Sequence, residues 1–224
     1  MVGLVVPEAV DTVPSEAAAM YPNVAFTARG IGLKSLSVAG YEDAIPRIVP
    51  AARTVAARGA GAVMVIGTSL TFFRGVTFER ALTDEIAAAT GLPAGTMSGA
   101  LVSGLHEVHA ERVAVVTAYS DEVNALLATF LRQSGFEVLS MRTITVAERV
   151  GEAARITKDD IFAAGVEACQ NTRNADALLI VCGGLRTFDI APRIEGDCSL
   201  PVVSSMPAAI RKAAQLAGVT GDGT

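Results

Sequence analysis

Two stretches of this chain echo one another. VMVIGTSLTF (Val63–Phe72) and LLIVCGGLRTF (Leu178–Phe188) share an apolar run, a turn of small residues and a Thr-Phe pair. Each is followed by a helix-like run, a Leu-Pro step, a short strand-like segment and a Ser-containing turn. The second part of the echo reads GLPAGTMSGA (Gly91–Ala100) in the first half and SLPVVSSMPAA (Ser199–Ala209) in the second. Self-similarity on this scale marks a repeated structural unit. No linker or shift of composition separates the copies. The echo therefore predicts two similar lobes facing one another, one over residues 1–98 plus 207–224 and the other over residues 99–206.

Within each half, short apolar runs alternate with helical patterns. The runs are Gly3–Val6, Val24–Ala28, Ala62–Ile66, Ala94–Met97, Arg112–Thr117, Val138–Thr143, Ala177–Val181 and Val202–Ser204. Those such as AVMVI and ALLIV are apolar throughout, as strands covered on both faces of a parallel sheet are. Thr77–Thr90, Asp121–Gln133 and Asp159–Gln170 carry apolar residues at helical spacing. Tyr41–Arg58 does so too, with Pro46 and Pro50 expected to distort or shorten its first half. Alternating strands and helices imply right-handed crossovers and parallel sheets. The expected class is α/β, with two pseudo-symmetric lobes. Each lobe has a parallel four-stranded sheet flanked by helices, and the active site lies in the cleft between them. Open parallel sheets bind ligands at the carboxyl ends of their strands. That places Gly67-Thr68-Ser69 opposite Cys182-Gly183-Gly184.

Composition narrows the function. Apolar residues make up 51% of 224, enough for a sizeable core. The 18 basic and 23 acidic residues give a net charge of −5 with no basic run, which argues against nucleic acid. Trp is absent and aromatics are only 5%, so base stacking is not expected. Neither the two His nor the three Cys fall in a zinc-ligand cluster, and an odd number of unpaired Cys fits a reducing compartment. No Lys or Arg precedes Arg29, so the apolar start lacks the basic flank of a signal peptide. Ile86–Leu105 is uncharged but broken by Gly91, Pro93, Gly95, Gly99 and Gly104, so no membrane span is expected. A cytoplasmic protein, monomeric or a small homo-oligomer, is the expectation.

Several residues invite chemistry, each with a plainer reading beside it. Cys182 closes an apolar strand before two glycines; it is a reactive thiol or a small core hydrophobe. Thr68 and Ser69 offer a carboxylate cradle or a helix cap. Tyr119 donates to a ligand oxygen or covers a lobe edge. Arg74 holds an anion or braces backbone carbonyls. Cys169 reads as core, Cys198 as incidental, and His106 with His109 as a solvated helix end. Gly30-Ile31-Gly32 lacks the third glycine of a dinucleotide fingerprint, and no phosphate loop is present.

Taken together, these features resemble the aspartate/glutamate racemase superfamily, which has two pseudo-symmetric lobes with a functional position at the same strand end of each. Within it, GTSLTFFRG (Gly67–Gly75), TAYSDEVN (Thr117–Asn124), CGGLRTFD (Cys182–Asp189), VVPEA (Val5–Ala9) and GIGLKSLSVAGY (Gly30–Tyr41) are similar to the arylmalonate decarboxylases. The resemblance runs from Val2 to about Gly218. It implies cofactor-free decarboxylation of a small dicarboxylate, an α-aryl or alkenyl malonate, through an enediolate protonated on one face by Cys182. It implies a carboxylate and oxyanion site at Gly67, Thr68, Ser69, Tyr119 and the Gly183 N–H. The implied apolar pocket is Pro7, Leu33, Leu36, Tyr41, Leu70 and Val150. Racemases and maleate isomerases of the superfamily carry a Cys in each half, whereas here the first-half position is Gly67. Two residues depart from the decarboxylase pattern: Glu8, where a second proline is expected, and Ala153, where a Met is expected. The rival expectations are a maleate isomerase-like isomerase or racemase, and a non-catalytic binder of small acids.

Overall fold

Runs without a polar residue become strands with no exposed face. The computed structural model describes residues 1–219. Its first half contains β1 (Val2–Val6), α1 (Ser15–Met20), β2 (Phe26–Gly30), α2 (Val38–Ala44), α3 (Ile48–Ala57), β3 (Ala62–Val65), α4 (Thr68–Phe72), α5 (Val76–Thr90), β4 (Ala94–Thr96) and α6 (Met97–Glu107). The second half contains β5 (Arg112–Thr117), α7 (Asp121–Gln133), β6 (Glu137–Thr143), α8 (Lys158–Asn171), β7 (Ala177–Val181), α9 (Ala191–Cys198), β8 (Val202–Ser204) and α10 (Ser205–Leu216). Every residue of β1, β3 and β7 is buried.

The strands form two parallel four-stranded sheets, ordered β2-β1-β3-β4 and β6-β5-β7-β8. The echoing segments hold the same place in each: β3 corresponds to β7 and β4 to β8. Strand order reverses between β1 and β3, and again between β5 and β7. Ligands of open α/β sheets bind at the carboxyl side of such switch points. Four strand ends meet there, followed closely by Pro7, Gly67, Tyr119 and Cys182.

Helices α6 and α10 join the lobes. They pack on each other, and each also touches both β4 and β8. Residues 220–224, which the sequence division assigns to the first lobe, lie outside the described residues. Helix starts follow local chemistry. The side chains of Ser37, Thr96 and Ser120 accept backbone N–H bonds from Gly40, Gly99 and Val123, and Thr157 with Asp160 forms a reciprocal cap at α8.

Tyr41–Arg58 is broken as its prolines require. α2 stops at Ala44, a 3-10 turn carries Pro46, and Pro50 falls in the first turn of α3, where an N–H has no intrahelical partner in any case. The strand expected at Val24–Ala28 runs instead from Phe26 to Gly30, and Gly30 lies against the backbone of Glu8 and Val10: a Cβ there would sit 2.5 Å from the Glu8 carbonyl oxygen. Ile86–Leu105 is divided among α5, β4 and α6. Among the described residues no helix is long and apolar enough to cross a membrane.

Candidate active site

A cleft of about 350 Å³ opens where the four strand ends converge. Pro7, Leu33, Leu36, Gly67, Thr68 and Ser69 line it from the first half, and Tyr119, Val150, Cys182 and Gly183 from the second. The structure thus brings together all but two of the site residues that the resemblance implies. Tyr41 and Leu70, expected in the apolar lining, are fully buried behind it. The Tyr41 hydroxyl lies behind Ser69 but outside hydrogen-bond geometry. A roomier depression of about 500 Å³ between α6, α9 and α10 contains none of these residues.

Two backbones at the cleft floor match. Gly67 has φ 125° and Cys182 has φ 148°. L-residues rarely adopt such values, so the side chain of Cys182 is held there at a cost of about 1–3 kcal/mol. Glycine meets the same requirement in the first lobe without strain. The repeat therefore extends to the positive φ of the position that differs.

Cys182 is 5% exposed. Its N–H donates to Ser205 Oγ at 3.2 Å, and the Thr68 hydroxyl donates to the same oxygen at 3.0 Å. Thr68 also lies 3.0 Å from Met97 Sδ. Burial pushes the Cys182 thiol above its ordinary pKa; the N–H groups of Gly184 and Leu185 and the Tyr119 hydroxyl pull the other way. Burial likewise holds the Tyr119 phenol well above its ordinary value, and the Cys182 thiol and Tyr41 add to it, while Thr68 and Ser69 act against it. Both shifts favour the neutral form.

Glycines shape the wall beyond Cys182. A Cβ on Gly183 would meet Met97 Sδ at 3.1 Å, and one on Gly184 would meet Ala153 Cβ at 2.9 Å. The turn carrying Ala153 is itself drawn to the first lobe, since the Leu36 N–H donates to the Glu148 carbonyl at 2.8 Å. Leu36 and Val150 flank that bond and line the cleft. A second tie runs from the Thr187 and Phe188 N–H groups to Glu16 Oε1, at 3.0 and 2.8 Å.

Other candidates resolve differently. Arg74 is paired with Glu42 and stacked against Phe73 and Phe78, so it neither braces backbone nor faces the cleft. Cys169 and Cys198 are half-buried neighbours where α8 meets α9; burial first, then Cys198, pushes the Cys169 thiol up to about 12. Neither lines the cleft. His106 lies beside Phe136, with ring centroids 5.0 Å apart. Among the described residues no three His, Cys, Asp or Glu side chains are grouped to hold a metal.

Sequence reasoning passed over Ser205, Glu16, Arg149 and Arg186. The last three line the cleft, the arginines with exposed side chains. Glu8 lines it too; burial raises its pKa, opposed by its own backbone N–H. Ser205 had one faint signal, its place in the second copy of the echo. Arg186 lies in the echo too, as an extra residue before the Thr-Phe pair, whereas Arg149 stands in a segment without periodicity and had no signal.

Comparison with known proteins agrees with this fold. A sequence model of the arylmalonate decarboxylase family matches residues 2–223. The chain is 40% identical over 217 residues to arylmalonate decarboxylase of Bordetella bronchiseptica, covering 97% of this chain and 90% of that one. It superposes with a TM-score of 0.95, at 38% identity, on a liganded arylmalonate decarboxylase carrying a glycine-to-cysteine and a cysteine-to-serine exchange; the match covers 98% of this chain and 93% of that one. A maleate cis-trans isomerase of Nocardia farcinica shares the fold, with a TM-score of 0.88 at 21% identity over 97% of this chain and 92% of that one.

Proposed function

The chain belongs to the arylmalonate decarboxylase family and is a carboxy-lyase, and on that premise we propose that it removes CO2 from an α-aryl or alkenyl malonate and protonates the product on one face from Cys182. The observation that carries this reading is the pairing of a single cleft thiol, Cys182, with a glycine, Gly67, at the equivalent turn of the other lobe.

One malonate carboxylate is held by the hydroxyls of Thr68, Ser69 and Tyr119 and the N–H of Gly183. The other lies against Pro7, Leu33, Leu36 and Val150, where few groups solvate it and its loss as CO2 is favoured. The electron pair of the broken C–C bond passes into an enediolate. The hydroxyls and the N–H then stabilise its oxygens as charge moves onto them. The Cys182 S–H delivers its proton to the α-carbon, and the thiolate takes a proton back from solvent. No cofactor enters any step. A two-base racemase or isomerase needs a second acid-base group on the opposite face, where this chain has only Gly67.

The test is incubation of the purified protein with phenylmalonate and no added cofactor, following CO2. Turnover is expected. Cys182→Ala should lower it at least about 10²-fold with the fold retained, the usual scale for a positioned acid. Cys169→Ala and Cys198→Ala should leave it nearly unchanged. Wild-type turnover by Cys182→Ala, or interconversion of maleate with no CO2 release, would overturn the reading.

A further inference from the structure

We infer that Ser205 is a positioning residue for this reaction, the middle link of a hydrogen-bond chain that fixes the proton donor of one lobe relative to the carboxylate cradle of the other. The inference rests on the decarboxylase reading above. Ser205 opens α10 and is 1% exposed. Its oxygen lies 3.2 Å from the Cys182 nitrogen and 3.0 Å from Thr68 Oγ1, and Thr68 is itself 1% exposed. One side chain therefore touches the backbone of the thiol residue and the hydroxyl of the cradle.

The inventory of protons gives the chain its direction. A hydroxyl has one proton and two lone pairs. In the structure the Thr68 proton is directed inward, to Ser205 or to Met97. A bound carboxylate needs that same proton. When Thr68 turns it toward the ligand, the Thr68 oxygen is left as an acceptor, and Ser205, still accepting from the Cys182 N–H, rotates its own proton to fill the place. The resulting chain runs from Cys182 N–H through the Ser205 and Thr68 hydroxyls to the carboxylate. Each bond polarises the next. The Cys182 N–H bond also anchors a residue whose φ of 148° would otherwise relax. Loss of the Ser205 oxygen leaves a buried N–H unpaired and lets the thiol shift relative to the enediolate face.

Ser205→Ala and Ser205→Thr are compared with wild type on phenylmalonate and on an α-methyl aryl malonate. Ser205→Ala should lower kcat at least about tenfold, the scale of a small misplacement of reacting groups. KM should change less, and the enantiomeric excess of the product should fall. Ser205→Thr, which keeps the oxygen, should restore both. A residue with only a packing role would lower Tm and leave kcat and product chirality alone. Iodoacetamide alkylation of Cys182, in a Cys169→Ser and Cys198→Ser background, gives a reading independent of turnover. Ser205→Ala should accelerate it at least about threefold as the thiol loosens. If the wild type releases no CO2, the decarboxylase reading fails, while alkylation still decides whether Ser205 holds the thiol. Folded Ser205→Ala with wild-type alkylation, or with wild-type kcat and chirality, overturns the inference.

Discussion

A thiol in a dry cleft gives up its proton less readily than one in water, because burial penalises the thiolate. For Cys182 burial is the largest influence, ahead of the neighbouring N–H groups and the Tyr119 hydroxyl. The residue is therefore suited to give a proton rather than to take one. The sign for activity follows: the reacting form is the protonated one, so raising the pKa moves the falling limb of kcat to higher pH. Decarboxylation, followed from about pH 6 to about pH 10, should stay flat through the ordinary thiol range and decline only above it. A rise in kcat across that range would show that the thiolate is the working form. Cys182, Thr68, Ser69 and Tyr119 were legible as residues because each follows an apolar strand at a turn of small or hydroxyl side chains. Which role each plays was not, since a hydroxyl after a strand caps a helix as readily as it binds an anion. Ser205 was only faintly legible for a related reason. Buried serines are common, and only the fold brings residues 68, 182 and 205 within reach of one oxygen.

At the scale of elements, hydrophobic period marks only those segments regular enough to carry one. β5, β7, β8 and α7 run between the residues that patterning indicates, because each is a clean apolar run or a clean helical repeat. α1 escaped it, being short and beginning directly after Pro14, while α9, expected only as a helix-like run after the second echo, is short and carries Pro192 in its first turn. The turns between β6 and α8 have no periodicity, yet they supply Val150 to the cleft and press Ala153 onto Gly184. That contact makes a testable joint. A methyl on Gly184 would lie 2.9 Å from Ala153 Cβ and 3.6 Å from the Ala154 nitrogen, and neither is the end of a flexible side chain. Gly184→Ala must therefore push the turn outward, with a loss of stability of about 1–3 kcal/mol. Moving Val150 away from the substrate should raise KM several-fold and lower kcat less. Calorimetry and steady-state kinetics on one preparation check both. Unchanged Tm and unchanged KM would mean that the turn yields freely and does not form the wall.

Two-lobed architecture was readable from the chain because a duplicated pattern keeps its order of apolar run, small turn and Thr-Phe pair even where the residues diverge. The ties between lobes were not readable. Glu16 reaching the Thr187 and Phe188 N–H groups, and Leu36 reaching the Glu148 carbonyl, join segments that share no pattern. The symmetry itself yields the last prediction. Gly67 and Cys182 occupy equivalent turns with similar φ, and a Cβ on Gly67 would meet only Leu70, at 3.5 and 3.6 Å, which is ordinary contact. Space for a side chain exists there, and the strain would be of the kind Cys182 already bears. The two positions approach the cleft from opposite lobes, so a thiol at 67 should face the substrate side opposite Cys182. Gly67→Cys should then racemise an α-aryl propionate, which requires removal of a proton on one face and delivery on the other. It should also decarboxylate at least about tenfold more slowly, because the new group crowds the cradle at Thr68. Combined with Cys182→Ser, it should protonate mainly from the new face and invert the product's configuration. Chiral chromatography of the products of wild type, Gly67→Cys and the double variant decides it. If the double variant keeps the original configuration and the single variant racemises nothing, position 67 does not face the substrate, and the symmetry of the lobes stops at the backbone.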